Sequence, residues 1–182
     1  MASSGQDAAA AAEQHDVPAS RTFAAALRAN QAMVFSIAYH FLRDRSAAEE
    51  VAQDVFLELY RQFDRMESDA HVGFWLRKVA SHRSIDYGRR RKYQPIVALQ
   101  DVPEPAAAGE PEDVLLNRKL RELIGALAEK PRMVMVLRYQ EELMPEEIAK
   151  VLDMPVRTVK SHLQRSLALL REKIGRSLGD VR

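Results

Sequence analysis

Hydrophobic residues recur at helical spacing along most of the chain. A first run of large apolar residues lies within 34–42, and a second lies within 51–59. Because the members of each run are three or four positions apart, each run forms the buried stripe of one helix. The polar residues 43–46 between the two runs predict a helix boundary, at which Asp44 or Ser46 caps the second helix.

The same spacing predicts the remaining helices. A loop is expected at 66–70, followed by a third helix from near His71 to about Arg91 that turns Phe74, Trp75, Leu76 and Val79 inward. The predicted helices of the second half are one with an apolar stripe within 114–127, one that Pro131 opens, one at 145–152 and one from Val156 to about Leu178.

Residues 94–113 separate the two helical halves. They contain four prolines, one glycine, five acidic residues and no lysine or arginine, which is typical of a linker. No segment shows the alternation of a β-strand, so the prediction is an all-α protein with two small helical domains joined by a flexible acidic linker. Its expected parts are a disordered tail at 1–20, a first domain at 21–94, the linker at 95–113 and a second domain at 114–182.

Composition narrows the possible classes of protein. The 182 residues include no cysteine, which excludes a disulfide scaffold, a thiolate zinc site and a thiol redox sensor within the chain. No apolar run approaches the ~20 residues that span a bilayer, and the N-terminus lacks the basic and apolar segments of a secretory signal. A cytoplasmic protein without membrane insertion is therefore expected.

The sharpest local pattern is two short helices around the turn Asp153-Met154-Pro155. This arrangement is typical of a helix-turn-helix, whose second helix enters the major groove of DNA. The apolar residues of the two helices are expected to pack together: Ile148, Ala149 and Leu152 against Val156, Val159 and Leu163.

That packing leaves polar and basic residues on or near the exposed face of the second helix: Arg157, Thr158, Lys160, Ser161, Gln164 and Arg165. Arginine and lysine reach guanine edges or phosphates, and serine and threonine bind either phosphates or bases. The alternative is an ordinary amphipathic helix with a solvated basic face.

A second basic cluster lies in the first domain, at 82–93. Its five cations and one acid give a net charge of +4, and Tyr87 and Tyr93 lie among them, with Trp75 earlier in the same helix. Cations bind phosphates and aromatic rings stack on unpaired bases, so the cluster suits unwound DNA. Compensation of the helix dipole and solubility explain such a run equally well.

The third cluster is acidic. Glu50, Asp54 and Glu58 are four residues apart and share one face of the second helix, opposite its apolar stripe. A row of uncompensated like charges lowers helix stability, and a basic partner surface would relieve the repulsion. The spacing alone is also compatible with a merely solvated face.

These clusters, in this order, resemble the extracytoplasmic-function group of the sigma-70 family of bacterial sigma factors. Residues 34–93 resemble region 2: the group's pattern Ala-Glu-Asp-x-x-Gln-Glu-x-Phe is similar to residues 48–56, and the steps Phe74-Trp75-Leu76 and Ile85-Asp86-Tyr87-x-Arg89-Arg90 are similar too. Residues 115–174 resemble region 4, down to Glu147-Ile148-Ala149 and Thr158-Val159-Lys160-Ser161.

The resemblance implies a transcription initiation factor that is not an enzyme, uses no cofactor or metal, and directs core RNA polymerase to promoters. The β′ coiled coil of polymerase is expected to bind Glu49, Glu50, Gln53, Asp54 and Glu58. The −10 element is expected to bind Trp75, His82, Arg83, Asp86, Tyr87, Arg89 and Arg90. The helix from Arg157 would read the −35 element, its domain would also contact the β flap, the linker would thread the polymerase channel, and an anti-sigma factor is a further expected partner.

Three positions depart from that group. It usually has Asn where this chain has His82, and Gly where this chain has Asp153 and Arg157. Asp153 would have to adopt a turn geometry that glycine takes freely, which aspartate tolerates better than most residues. Arg157 adds a bulky cation at the start of the reading helix, so the promoter preference is expected to differ.

Two other classes explain less of the sequence. A regulator with a helix-turn-helix of the response-regulator output type accounts for 145–174 but leaves the acidic helix and the arginine-rich helix without a role. An enzyme is disfavoured because there is no phosphate loop or nucleophile elbow, and the five histidines are scattered.

Overall fold

The computed structural model of the protein describes residues 22–93 and 122–179. The predicted N-terminal tail and the acidic linker lie outside the described residues. Within those two ranges the secondary structure is helical, with connecting turns and no strand, which agrees with the expected all-α class.

The first two helices are joined by a tight turn. Helix α1 spans Phe23–Leu42 and ends at Arg43, whose φ of 59° places it in the left-handed region. Helix α2 spans Arg45–Gln62, and the Asp44 carboxylate accepts a hydrogen bond of 3.0 Å from the Ala47 N–H. Of the two predicted caps, Asp44 is therefore the one that the structure uses.

Helix α3 begins earlier than the hydrophobic pattern indicates. A short 3₁₀ turn at Phe63–Arg65 precedes it, and α3 then spans Asp69–Tyr93. The His71 N–H donates to the Ser68 hydroxyl at 3.1 Å, so Ser68 caps a helix that begins two residues before the predicted start. The loop is correspondingly shorter than the expected 66–70.

The three helices form a bundle around one core. Its largest side chains of under 2% exposure are Val34, Ile37 and Phe41 from α1, Val55 and Leu59 from α2, and Val72 and Leu76 from α3. The apolar stripes at 34–42 and 51–59 are thus the buried faces that their spacing predicted.

The second domain contains a helical turn at 122–125 and three longer helices. These are α4 at Glu129–Tyr139, α5 at Pro145–Val151 and α6 at Val156–Gly179. The prediction that Pro131 opens α4 was wrong by two residues, because α4 begins at Glu129. A proline is tolerated at the third position of a helix, since the N–H that it lacks would have no partner inside the helix. Pro145 does open α5, as predicted.

The turn between α5 and α6 has the predicted helix-turn-helix geometry. Ile148, Ala149, Leu152 and Val159 are buried in one cluster, and Val156 and Leu163 pack against it. Asp153 has a φ of 49°, so it adopts the left-handed conformation expected at this position. This turn directs the first residues of α6 outward.

The two domains pack against each other. Helices α1 and α3 contact α4, α3 also contacts α5, and a single hydrophobic cluster includes residues of both domains. A smaller cluster of Leu127, Met135 and Leu170 lies within the second domain. The sequence pattern carried no prediction about this docking.

Candidate polymerase and nucleic-acid surfaces

The start of α6 presents the predicted reading face. The side chains of Arg157, Lys160, Gln164 and Arg165 are exposed. Thr158 and Ser161, which complete the predicted set, are partly buried. The second helix of a helix-turn-helix that presents exposed cations in this way has the form of a major-groove reader.

Lys160 is held by a neighbour from α5. Its Nζ lies 3.0 Å from the Glu146 carboxylate. That hydrogen bond is the main cause of the lowered pKa of Glu146, so the carboxylate is ionised at neutral pH. Glu146 thereby holds Lys160 near the exposed start of α6.

The side chains of the basic cluster of α3 contact different parts of the protein. Arg83 forms an ion pair with Glu58 and lies 3.5 Å from Asp54, and the hydrogen bond to Glu58 is the main cause of its raised pKa. The Tyr87 hydroxyl donates to Glu50 at 3.0 Å. Arg83 and Tyr87, which both belong to the basic cluster, therefore contact α2.

The negative charge of the acidic row of α2 is therefore compensated in part by α3, whereas the spacing alone had suggested a row without compensation. Glu50, Asp54 and Glu58 each lie within contact distance of an α3 side chain, 25 to 37 positions away in sequence for the two hydrogen-bonded pairs. Helical periodicity reports neighbours within one helix only, so it cannot detect these partners.

The other predicted −10 residues differ in their surroundings. Asp86 and Arg90 are exposed, and Arg90 Nε donates to the Asp86 carbonyl at 3.4 Å. Trp75 is partly buried and packs against the core. His82 and Arg89 contact the second domain.

A groove with an apolar lining lies between α1 and α2, with a volume of about 830 Å³. Its lining includes two large exposed side chains of α2, Leu57 at 56% and Tyr60 at 67% exposure. Glu49 and Gln53, two of the predicted polymerase-binding residues, also line it. An exposed apolar patch with polar residues at its edge is typical of a protein-binding surface.

A partly buried arginine between the domains was not among the residues predicted from the sequence. Arg132 of α4 donates to the Phe41 carbonyl at 3.3 Å and to the Leu127 carbonyl at 3.0 Å. Its guanidinium also lies 5.2 Å from the centre of the Phe41 ring, and burial lowers its pKa. The only sequence signal was one arginine beside the apolar run Met133–Leu137.

Metal and membrane sites are a separate question. In the ranges 22–93 and 122–179, no three His, Asp or Glu side chains are grouped closely enough to hold a metal ion. Among the helices that the structure describes, none combines the length and apolarity required to cross a bilayer.

Two family models match the chain, and they correspond to its two domains. The model of sigma-70 region 2 matches residues 26–93. The model of sigma-70 region 4 matches residues 117–170. Together the two matches cover about two thirds of the chain, and each contains one of the basic helices.

Whole-chain relatives and a solved structure agree with these matches. The chain is 28% identical to the ECF RNA polymerase sigma factor SigW of Bacillus subtilis, over 78% of this chain and 82% of that protein. It is 30% identical to the RNA polymerase sigma-E factor of Streptomyces coelicolor, over 81% and 83%. The fold is similar to the sigma factor RpoE of Bartonella quintana, solved in complex with the anti-sigma factor NepR, with a TM-score of 0.66, 17% identity and coverage of 84% and 96%.

Proposed function

Since the chain belongs to the extracytoplasmic-function group of the sigma-70 family, and is an RNA polymerase sigma factor, we propose that two separate helices divide promoter recognition. Helix α6 binds the −35 element and α3 binds the −10 element. Neither role requires chemistry from the protein, because binding and positioning of DNA are sufficient to direct polymerase. Polymerase acts in the cytoplasm, so we propose the same location for this chain.

The observation that carries the −35 assignment is the exposed basic start of α6. After the left-handed residue Asp153, Arg157 lies in the first turn of α6 and Lys160 begins the second turn, and both are exposed. In a helix-turn-helix the N-terminal residues of the second helix lie closest to base edges. In this proposal Arg157 makes the contact with a base. Lys160 leaves its ion pair with Glu146 and binds DNA instead.

Alanine at Arg157 or Lys160 tests the −35 assignment. Loss of a bidentate base contact is expected to weaken binding by about 1–3 kcal/mol, and loss of a phosphate contact by less. Fluorescence anisotropy with −35 duplexes selected for binding measures the change in affinity. Arg171→Ala is the matched control, since Arg171 is an exposed cation farther along the same helix. Wild-type affinity in both test variants would remove the assignment.

The −10 assignment depends on the arginine-rich half of α3. Its exposed members Asp86 and Arg90 are available to a DNA strand without rearrangement. Arg83 and Tyr87 are held against α2 by Glu58 and Glu50, which fixes the orientation of the helix. His82 and Arg89 become available when the second domain moves away. Trp75 supplies an aromatic surface on which a base can stack.

Helix α2 is the proposed polymerase-binding element. All five acidic and polar residues assigned to it from the sequence remain in the proposal: Glu49, Glu50, Gln53, Asp54 and Glu58. The groove beside Glu49 and Gln53 adds an apolar centre formed by Leu57 and Tyr60, and the β′ coiled coil is the proposed occupant. The second domain is proposed to bind the β flap.

An anti-sigma factor is the remaining proposed partner. The support comes from the family and from the solved complex of RpoE with NepR. The competing assignment, a regulator of the response-regulator output type, is not favoured, because it leaves the region 2 match at 26–93 unexplained.

A further inference from the structure

Glu146 places a carboxylate beside the basic start of α6. It is the second residue of α5, and its Oε1 lies 3.0 Å from Lys160 Nζ. The side chains of Glu146 and Lys160 are 55% and 57% exposed, so both are accessible to a DNA duplex. Because phosphates repel a carboxylate, a negative charge on a DNA-binding face lowers the affinity for every sequence. Its position on this face therefore indicates a role in selecting among sequences.

The neighbouring carboxylate of Glu147 has a different task. It accepts a hydrogen bond of 2.7 Å from the Met144 N–H and so caps the start of α5. Glu146 faces α6 instead. The hydrogen bond from Lys160 is the main cause of the lowered pKa of Glu146, and the Glu146 backbone N–H lowers it further. Glu146 is therefore ionised at neutral pH and can only accept hydrogen bonds.

Packing of the two helices fixes the backbone from which these side chains project. Ile148 lies two residues after Glu146 and is fully buried. Val159 directly precedes Lys160 and is buried in the same cluster. The left-handed turn at Asp153 sets the path between the helices. The charged ends of Glu146 and Lys160 can therefore exchange partners by rotation of their side chains alone.

The edge of one G·C base pair matches this ion pair in the opposite sense. In the major groove guanine presents two acceptors, O6 and N7, and cytosine presents the N4 amino donor. Guanine O6 and cytosine N4 are joined by an N–H···O hydrogen bond of about 2.9 Å. Lys160 Nζ and Glu146 Oε1 lie 3.0 Å apart. The donor and the acceptor of the protein thus have the same separation as the acceptor and the donor of the base pair.

We propose that Glu146 and Lys160 together read one G·C base pair of the −35 element, Lys160 through guanine and Glu146 through cytosine. This inference rests on the proposed assignment of α6 to that element. Lys160 leaves the ion pair and donates to guanine O6 and N7. The Glu146 carboxylate then accepts from the cytosine N4 amino group, which replaces the ammonium as its donor. Each charge exchanges one partner for another, and neither is left without one.

The other bases do not offer the same exchange. Thymine presents O4, an acceptor that repels the carboxylate, and the amino group of adenine lies beside the N7 acceptor. Opening of the ion pair on such a base, or on phosphates alone, leaves Glu146 without a suitable donor. Glu146 is thus a specificity-determining residue. Cytosine at its position is expected to be favoured about tenfold, which is within the usual range for one base pair.

The test blocks the cytosine amino group without altering guanine. The full chain first selects duplexes from a randomised library, and each cytosine of the selected site is replaced in turn by N4-methylcytosine. The methyl group takes the place of the amino hydrogen that faces the major groove, while guanine O6 and N7 are unchanged. At one position the wild type is expected to bind the methylated duplex about tenfold more weakly in fluorescence anisotropy. Glu146→Ala is expected to bind the methylated and unmethylated duplexes within about twofold of each other.

Two further variants separate a contact with cytosine from a general effect of charge. Glu147→Gln removes the same charge one residue away and keeps an oxygen that can cap α5, so it is expected to lose about tenfold on methylation as the wild type does. In Glu146→Gln the amide both donates and accepts, which suits adenine N6 and N7. The base that this variant selects is therefore expected to shift from cytosine toward adenine. A purely structural role of Glu146 would leave the selected base unchanged.

The inference is overturned if no methylated position separates the wild type from Glu146→Ala, or if Glu147→Gln loses the sensitivity to methylation as well. Lys160→Ala distinguishes this failure from a failure of the proposed function. Weaker binding of the selected duplex by Lys160→Ala, with no effect of methylation on the wild type, would leave the −35 assignment intact and remove only the role of Glu146. A wild type that selects no sequence at all would contradict both.

Discussion

Asp44 performs two tasks at the start of α2. Its carboxylate accepts the Ala47 N–H, and it also forms an ion pair with Arg91 near the end of α3. The side chain is 17% exposed, so this pair is better shielded from water than most surface pairs. One residue therefore caps α2 and connects α2 to α3.

Alanine at Asp44 is expected to lower the free energy of unfolding by about 1–2 kcal/mol, chiefly through loss of the cap. Asn at the same position retains a capping oxygen and loses only the charge, so its effect is expected to be smaller. Urea denaturation followed by circular dichroism measures both. Equal stability of Asp44→Ala and the wild type would show that the cap contributes nothing.

The same residue gives a pH dependence of known sign. The Ala47 N–H is the main cause of the lowered pKa of Asp44, and Arg91 lowers it further, against the effect of burial. A lowered folded-state pKa means that the stabilisation is complete above the unfolded value of about 3.9 and is lost as the pH falls through the folded value. The difference between Asp44→Asn and the wild type should therefore shrink in that acidic range.

Sequence reasoning succeeded at this scale wherever the cause was local. The cap at Asp44 follows from residue type and position in a turn, and the left-handed conformation of Asp153 was expected because the group that the chain resembles usually has glycine at that position. Glu58, which pairs with Arg83, lies 25 residues away, and Phe41, the partner of Arg132 in the first domain, lies 91 residues away. No short-range pattern contains that information, so these contacts required the structure.

At the scale of the element, α2 has three distinct faces. One is the buried apolar stripe, one is the row Glu50, Asp54 and Glu58 that contacts α3, and one is the groove surface with Leu57 and Tyr60. The sequence predicted the first face and identified the second, but it assigned the second face no partner within the chain. The third face was not predicted, because it exists only where α1 packs beside α2.

Changes on the groove face are expected to weaken binding of core polymerase. Leu57→Asp places a charge in the apolar centre, and Glu49→Lys reverses the charge at its edge, with an expected loss of at least about 1 kcal/mol for the former. Both positions are exposed, so the fold is expected to be retained. Biolayer interferometry with immobilised core enzyme measures the affinity.

The control for that experiment is Glu142→Lys, which makes the same charge reversal at an exposed position of the second domain. It is expected to bind core enzyme as the wild type does. If Leu57→Asp also bound normally, the groove would have no part in polymerase binding.

At the scale of the whole molecule, the main feature is docking of the two domains through α1 and α3. The positions His82 and Asp153, at which the sequence departs from its group, lie 3.7 Å apart in this interface. The helices of each domain were predictable because each has its own apolar stripe. Docking was not, because contacts between domains that are distant in sequence leave no periodic pattern within either domain.

Run-off transcription with purified core polymerase tests the central claim most directly. The claim is that this chain alone supplies core enzyme with promoter specificity, and a promoter obtained by sequencing DNA bound by chain and core together provides the template. The predicted result is a discrete transcript that appears only when the chain is added and that diminishes with Arg157→Ala. No transcript unless another sigma factor is also present would contradict the account.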